Sequence, residues 1–156
     1  METKLTAITF FIPLAILIAA TPSFCAVIRV PGDQPTIQAG VNAATGGDTV
    51  LVAPGTYTDP GNGDVDFGGT DLVVLSESGP AATIIDCFAG AGSRGFHFHS
   101  GETAAAVVDG FTIREGFPGG TYGGGFLCTD GSSPTIRNCA LESNSFSAIY
   151  CDNASP

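Results

Sequence analysis

The sequence of 156 residues predicts an all-β protein: a right-handed parallel β-helix, wound as a single-stranded solenoid, with a short N-terminal capping helix. Three observations support this fold class. A short apolar motif recurs along the chain, glycine-rich turns separate its copies, and one amphipathic segment precedes most of them. Such recurrence indicates stacked coils, because each coil can bury its apolar face only against its neighbours.

The recurring motif has three residues and returns at intervals of 23, 23, 30 and 23 residues. Its copies are Val50–Val52, Val73–Leu75, Phe96–Phe98, Phe126–Cys128 and Ile149–Cys151. A second motif, Ile84–Phe88, returns 23 residues later as Val107–Phe111. Two stacked columns are predicted from this spacing. They are a file through Val73, Phe96, Phe126 and Ile149, and an inward column of Phe88, Phe111 and Cys139.

Residues 1–25 have the features of a signal peptide. A positively charged start and an apolar stretch precede small residues at a cleavage site before Ala26. Acylation of Cys25, as in a lipoprotein, is the alternative, although the bulky Phe24 disfavours it. We therefore expect export to the periplasm, the cell surface or the extracellular space. The mature domain, residues 26–156, is expected to contain no transmembrane helix.

The charge of the chain narrows the range of partners. The formal net charge is −10, and the only cationic side chains after Lys4 are four arginines. Such a surface repels phosphate backbones, so we expect no nucleic-acid partner. It suits calcium binding or simply solubility outside the cell.

The capping helix is predicted over residues 35–45. Ile37, Val41 and Ala44 fall on one helical face at i, i+4 and i+7, and Asp33 is the expected start signal. An amphipathic helix in this position covers the open end of a solenoid.

The domain is then expected to contain about five coils, the last of them incomplete. Two glycine-rich segments, Thr58–Asp71 and Glu115–Gly125, are predicted to leave the coils as loops. Residues 155–156 repeat the Ser-Pro pair of residues 133–134, which places the end of the chain in the middle of a coil. We therefore expect the natural polypeptide to continue with further coils.

Two parts of the sequence resemble known β-helix proteins. Pro35–Val41 together with Gly47–Tyr57 resembles the N-terminal segment of pectin-lyase-like right-handed β-helix proteins. Asp109–Ile113, Gly123–Phe126 and Ser133–Cys139 resemble the repeat units of secreted bacterial right-handed β-helix repeat proteins. The resemblance implies the fold. Motifs typical of pectin methylesterases and polygalacturonases are absent from the sequence.

Asp86, Asp109 and Arg137 are the catalytic candidates. The motif alignments place them in one column, where carboxylates about 5 Å apart could bind calcium against an acidic sugar. Arg137 could then act as a base or a clamp, and β-helix lyases use groups of this kind. The alternative is that the Asp-Gly pair forms a turn and the arginine is a salt-bridge partner.

Asp59, Asn62, Asp64 and Asp66, with Asp71 nearby, are the calcium candidates. Their oxygen atoms are hard ligands of the kind that Ca²⁺ prefers. The segment lacks the EF-hand spacing, so a solvated acidic loop is the alternative. Calcium is the only cofactor that the sequence suggests.

His97 and His99 alternate with Phe96 and Phe98. If the phenylalanines point inward, both imidazoles face outward on one strand. They could begin a metal site, or they could belong to an ordinary exposed face.

The mature chain keeps four cysteines: Cys87, Cys128, Cys139 and Cys151. Cys128 and Cys151 occupy the same position in successive copies of the motif, so their thiols are expected to stack. They form either a ladder of small buried side chains or, in an oxidising compartment, a disulfide bond.

Two functions therefore remain open. The first is an exported, non-catalytic β-helix that serves as a scaffold for polysaccharides, cell-surface glycans or other partners. The second is a polysaccharide-active enzyme of the pectin or pectate lyase type, with the catalytic candidates in its site. The missing enzyme motifs favour the first, because a fold does not by itself determine a function.

Overall fold

The structure, a computed structural model, describes residues 25–58, 60–89, 93–120 and 122–156. Apart from Cys25, the predicted signal peptide lies outside the described residues. Within them, one short α-helix, one turn of 3₁₀ helix and thirteen strands form a solenoid-like all-β fold. Every strand pair in this part of the chain is parallel, as stacked repeats predict.

The strands, numbered in chain order, form three sheets that we name A, B and C. Sheet A contains β1 (Val27–Val30), β2 (Thr49–Val52), β5 (Val73–Ser76), β8 (Val107–Asp109) and β11 (Thr135–Arg137). Sheet B contains β3 (Gly55–Tyr57), β6 (Thr83–Asp86), β9 (Thr112–Arg114) and β12 (Ala140–Glu142). Sheet C contains β4 (Val65–Asp66), β7 (Phe96–Phe98), β10 (Phe126–Cys128) and β13 (Ile149–Cys151).

From β2 to β13 the chain visits sheets A, B and C in that order four times, and each round is one coil. The length of a coil varies. Thr49 pairs with Val73, 24 residues later, Val73 pairs with Val107 after 34 residues, and Val107 pairs with Thr135 after 28. The prediction of a fixed 23-residue coil is therefore wrong, although the prediction of stacked parallel strands is confirmed.

The predicted file through Val73, Phe96, Phe126 and Ile149 is wrong at its first member. Phe126 pairs with both Phe96 and Ile149 in sheet C, but Val73 lies in sheet A. The place beside Phe96 belongs to Val65 of β4. The step of 23 residues from Val73 to Phe96 crosses from one sheet to another within a coil. Short apolar strands of different sheets look alike in sequence, so the spacing could not reveal this.

The predicted alignment of Ile84–Phe88 with Val107–Phe111 is also wrong. Ile84 of β6 pairs with Thr112 of β9 in sheet B. The strand β8, in contrast, pairs with β5 and β11 in sheet A. The two segments therefore lie on different sides of the solenoid.

One member of the predicted inward column is misplaced for the same reason. Phe88 lies in the 3₁₀ helix Cys87–Ala89 and is 80% exposed. Phe111 is fully buried, and Cys139 packs against the same core. The stacking of the last two members agrees with the prediction.

Thr58–Asp71 is not the protruding loop that its glycines suggest. It contains β4, and the ring of Phe67 is buried with its centroid 4.8 Å from that of Phe98. The segment therefore forms the third side of the first coil. Glu115–Gly125 has no helix or strand among its described residues and joins β9 to β10, in agreement with the prediction.

The core between the three sheets is aliphatic and aromatic. Phe96, Phe98, Phe111 and Phe126 are fully buried, and the rings of Phe96 and Phe126 stack with their centroids 5.4 Å apart. Burial of a side chain of this size contributes roughly 1.5–3 kcal/mol. Recurrent aromatic residues at the inward positions of sheet C therefore hold successive coils together.

The single helix α1 (Ile37–Ala43) is shorter than the predicted residues 35–45. It begins at Thr36, whose hydroxyl accepts a hydrogen bond from the backbone of Ala39 at 3.1 Å. Asp33, the predicted start signal, instead accepts from the backbone N–H of Arg29. The buried side of α1 packs on β1, β2 and β4.

Candidate functional site

The outer face of sheet C carries a row of chemically varied side chains. Strand pairing places Asp66 beside His97, His97 beside Leu127 and Leu127 beside Tyr150. Their chain neighbours point into the core, so these four point outward. With about 4.8 Å between neighbouring strands, the row is about 14 Å long.

Two tyrosines form an aromatic platform at one end of this row. The rings of Tyr122 and Tyr150 are stacked, with centroids 4.5 Å apart and planes inclined by 14°. Tyr122 belongs to the segment between β9 and β10 and is 55% exposed. The platform therefore presents ring surface to solvent.

Two histidines lie in the middle of the face. The imidazole centroids of His97 and His99 are 4.2 Å apart, and His99 Nε2 lies 3.1 Å from Asp66 Oδ2. The phenylalanines on either side of His97 are buried, so the predicted outward orientation is confirmed. Burial lowers the pKa of His97, and the nearby His99 and Arg94 lower it further. A neutral imidazole can both donate and accept a hydrogen bond.

An ion pair stands beside the histidines. Arg94 Nε lies 3.0 Å from Asp64 Oδ1, and the Arg94 side chain is largely buried while that of Asp64 is half-exposed. Arg94 Nη1 also donates to the carbonyl oxygen of Tyr122 at 3.4 Å. The guanidinium thus ties the tyrosine segment to the strands that carry the histidines.

We name this cluster the sheet C site. Its members are Asp64, Asp66, Arg94, His97, His99, Tyr122 and Tyr150. The sequence suggested the two aspartates and the two histidines as separate candidates, and the pairing of β4 with β7 brings them together. Sequence reasoning missed the arginine and the tyrosines. The position of Tyr150 was available, because it matches His97 in the recurring motif.

The calcium candidates do not converge on a common point in the described residues. Asp59 lies outside them. Asn62 is buried, and its side-chain oxygen accepts from the backbone of Ile37 at 2.9 Å, at the start of α1. Asp64 and Asp66 face Arg94 and His99.

The search for a metal-binding cluster gives the same result. In the described ranges, no group of three or more His, Cys, Asp or Glu side chains is arranged to hold a metal ion. Asp71 accepts instead from the backbone and the hydroxyl of Thr103. These oxygens already have protein donors, so they do not fit a calcium site, and calcium binding stays a prediction.

The catalytic candidates lie on two different sides of the solenoid. Asp86 is in sheet B, where its register partner is Arg114. Asp109 is in sheet A, and its register partner is Arg137. The predicted common column of Asp86 and Asp109 is therefore wrong, and the pairing of Asp109 with Arg137 is confirmed.

Each of these carboxylates has an arginine partner. Arg114 Nη2 lies 2.7 Å from Asp86 Oδ2, and Arg137 Nε lies 2.9 Å from Asp109 Oδ2. Partial burial raises the pKa of Asp86, but hydrogen bonds from Arg114 outweigh it, and the net shift is downward. These contacts match the salt-bridge alternative, and a catalytic role stays a prediction.

A groove follows the corner between sheets A and B. Its volume is about 520 Å³, and Asp109 and Asn138 line it. The Asn138 side chain donates to Asp109 Oδ1 at 2.8 Å. Asp86 does not belong to the lining.

Two further observations complete the description. Within the part of the chain that the structure describes, no helix has the length and hydrophobicity to cross a membrane. Comparisons of the chain with protein-family models, with curated proteins and with solved structures gave no match.

Proposed function

We propose that this protein is an exported, non-catalytic β-helix that binds glycans through the sheet C site. The observation that carries the proposal is the Tyr122–Tyr150 stack beside the histidines and the Arg94–Asp64 ion pair. A sugar ring has an apolar C–H face and a polar rim of hydroxyl groups. An aromatic platform with adjacent planar polar groups offers a surface for both.

The shape of the site also suits a chain-like ligand. The outer row of sheet C is open and about 14 Å long, which accommodates a short run of sugar rings. Asp66 and His99 are about one-third exposed, so their polar atoms are within reach of a ligand. A glycan lying along the row would meet the tyrosines at one end and the carboxylates at the other.

The arrangement of charges supports binding rather than catalysis. Asp86 and Asp109 lie on different sheets, and each is engaged by its own arginine. Arg94 is likewise engaged by Asp64. A chemical step needs groups aimed at one reacting atom, and these pairs point elsewhere.

Several features of the fold and of the location belong to this proposal. They are the right-handed winding of the coils, the role of α1 as a cap, and the relation to pectin-lyase-like proteins. Export rests on the signal-peptide features of residues 1–25. The strongly acidic, lysine-free mature chain supports a place outside the cell and a partner other than nucleic acid.

Binding to a panel of purified polysaccharides tests the proposal. We expect at least one glycan to bind the protein in calorimetric titration and the Tyr150→Ala variant to bind it about tenfold more weakly, because an aromatic contact is worth about 1 kcal/mol or more. Phe88→Ala is the matched control, since Phe88 is an exposed aromatic residue outside the site. Equal affinity of Tyr150→Ala and the native protein, or no binding to any glycan, would refute the proposal.

A polysaccharide lyase is the second candidate function. The observation that favours it is the groove between sheets A and B, which Asp109 lines beside its register partner Arg137. The test is the ultraviolet absorbance of unsaturated product from polygalacturonate or alginate with added calcium. Product formation that Arg137→Ala abolishes would support this function. No product with the native protein would exclude it on those substrates.

A further inference from the structure

Two cysteines face each other across neighbouring strands of sheet C. Cys128 ends β10 and Cys151 ends β13, and the two are direct register partners in a parallel pair. Cys128 is fully buried, whereas Cys151 is exposed. Both thiols are free in the structure.

We propose that Cys128 and Cys151 form a disulfide bond that fastens β13 to the preceding coil. Register partners in adjacent parallel strands have α-carbons about 4.8 Å apart. A disulfide spans α-carbon separations of about 4.4–6.8 Å, so no backbone movement is needed to bring the pair within range. The two side chains also leave their strands on the same side, because the strands are parallel and in register.

The surroundings of the two thiols give them different roles. Burial raises the pKa of Cys128 to about 12, and its contact with Cys151 contributes to the rise. Cys128 is thus almost entirely protonated near neutral pH and is shielded from reagents in solution. Cys151 is the accessible thiol of the pair, and it meets an oxidant first.

The other cysteines of the described residues have no such partner. Cys87 is buried in the 3₁₀ helix after β6, and Cys139 lies at the bend between sheets A and B. Neither is a register partner of a cysteine in the described strands. Cys25 is exposed ahead of β1. The pairing of β10 with β13 therefore singles out one bond.

The bond forms by two thiol–disulfide exchanges with a small disulfide such as oxidised glutathione. The Cys151 thiolate attacks one sulfur of the oxidant, which forms a mixed disulfide and releases one glutathione thiolate. Cys128 then loses its proton and attacks the Cys151 sulfur, which releases the second glutathione thiolate. Two protein thiols are oxidised, and one glutathione disulfide is reduced to two thiols.

Peptide mapping tests this proposal directly. The reduced, folded protein is incubated with oxidised glutathione, its remaining thiols are alkylated, and it is digested with trypsin. Cleavage after Arg114 and Arg137 separates Cys128, in residues 115–137, from Cys151, in residues 138–156. We expect these two peptides to be joined, with a mass about 2 Da below the sum of the free peptides.

Two variants identify the partner within residues 138–156, which also contain Cys139. Cys139→Ala should keep the linked peptides, and Cys151→Ala should lose them. Circular dichroism checks that each variant is folded. A link between Cys128 and Cys139, or a Cys151 that ends as a stable glutathione adduct beside a free Cys128, would overturn the proposal. So would a Cys151 that remains fully alkylatable after prolonged oxidation.

Discussion

The inner and outer rows of sheet C come from the same short strands, and they serve different purposes. The inner residues, such as Phe96 and Phe126, are fully buried and stack from coil to coil. Their immediate neighbours, such as His97 and Tyr150, face solvent and stack with different partners. The comparison teaches that side-chain alternation divides the work: the inner row sets stability, and the outer row is free to carry function.

The largest expected effect comes from breaking the inner row. Phe96→Ala removes a ring that contacts Phe67, Phe98, Phe111 and Phe126, and it leaves a cavity between coils. We expect the free energy of unfolding to fall by about 3–5 kcal/mol in urea titration. His97→Ala, one residue further along the same strand, is the control and should cost less than about 1 kcal/mol. Equal losses would contradict the division between the rows.

A smaller effect is expected from a buried polar group at the turn that follows sheet C. The Glu102 carboxylate is 1% exposed and accepts hydrogen bonds from the backbone of Gly69 and Ser100 and from the Ser132 hydroxyl. These donors come from three successive coils. We expect Glu102→Gln to lower the free energy of unfolding by about 1–3 kcal/mol at pH 7.

The pH dependence of this contribution has a definite sign. Burial raises the pKa of Glu102, but its hydrogen bonds, led by that from Ser132, outweigh the rise and leave the folded-state pKa below the model value of 4.5. The contribution is therefore present above the unfolded-state pKa and is lost as the pH falls through the folded-state value. The gap between native and Glu102→Gln stabilities should close on acidification. A gap that widens below pH 4 would contradict this assignment.

The smallest effect is expected on the outer row. Because the pKa of His97 is lowered in the folded protein, mainly by burial, the unfolded chain takes up its proton first as the pH falls. The stability that neutral His97 provides is complete above the unfolded-state pKa and declines as the pH falls from there through the folded-state value. Thermal melts between pH 7.5 and 5.5 should show a modest decrease that is smaller in His97→Gln. The same decrease in both proteins would assign it to other groups.

The sequence predicted most of the fold because local alternation is strong in it. The strands at Phe96–Phe98, Phe126–Cys128 and Ile149–Cys151, and the outward histidines, all follow from that alternation. What it could not predict was the assignment of strands to sheets. β4 has only two residues, too few to show a period, and coil lengths differ because the turns differ.

The candidate site shows the same limit. Asp66 reaches His99 only because β4 pairs with β7, and that pairing was hidden while Thr58–Asp71 was interpreted as a loop. Tyr122 has no repeat partner in the motif and lies outside the strands, so no periodic signal marks it. The pairing of Asp109 with Arg137 was predictable, because two glycine- or asparagine-containing bends follow them at the same spacing.

The order of strands in sheets A and C is the central claim, and scalar couplings across hydrogen bonds in NMR spectra measure it most directly. We predict couplings from the Phe96 nitrogen to the Gly125 carbonyl carbon, from Phe126 to Ala148, and from Val107 to Leu72. Such couplings would place β7, β10 and β13 in one sheet and β5 with β8 in another. Couplings that join residues 73–76 to residues 96–98 would contradict the account.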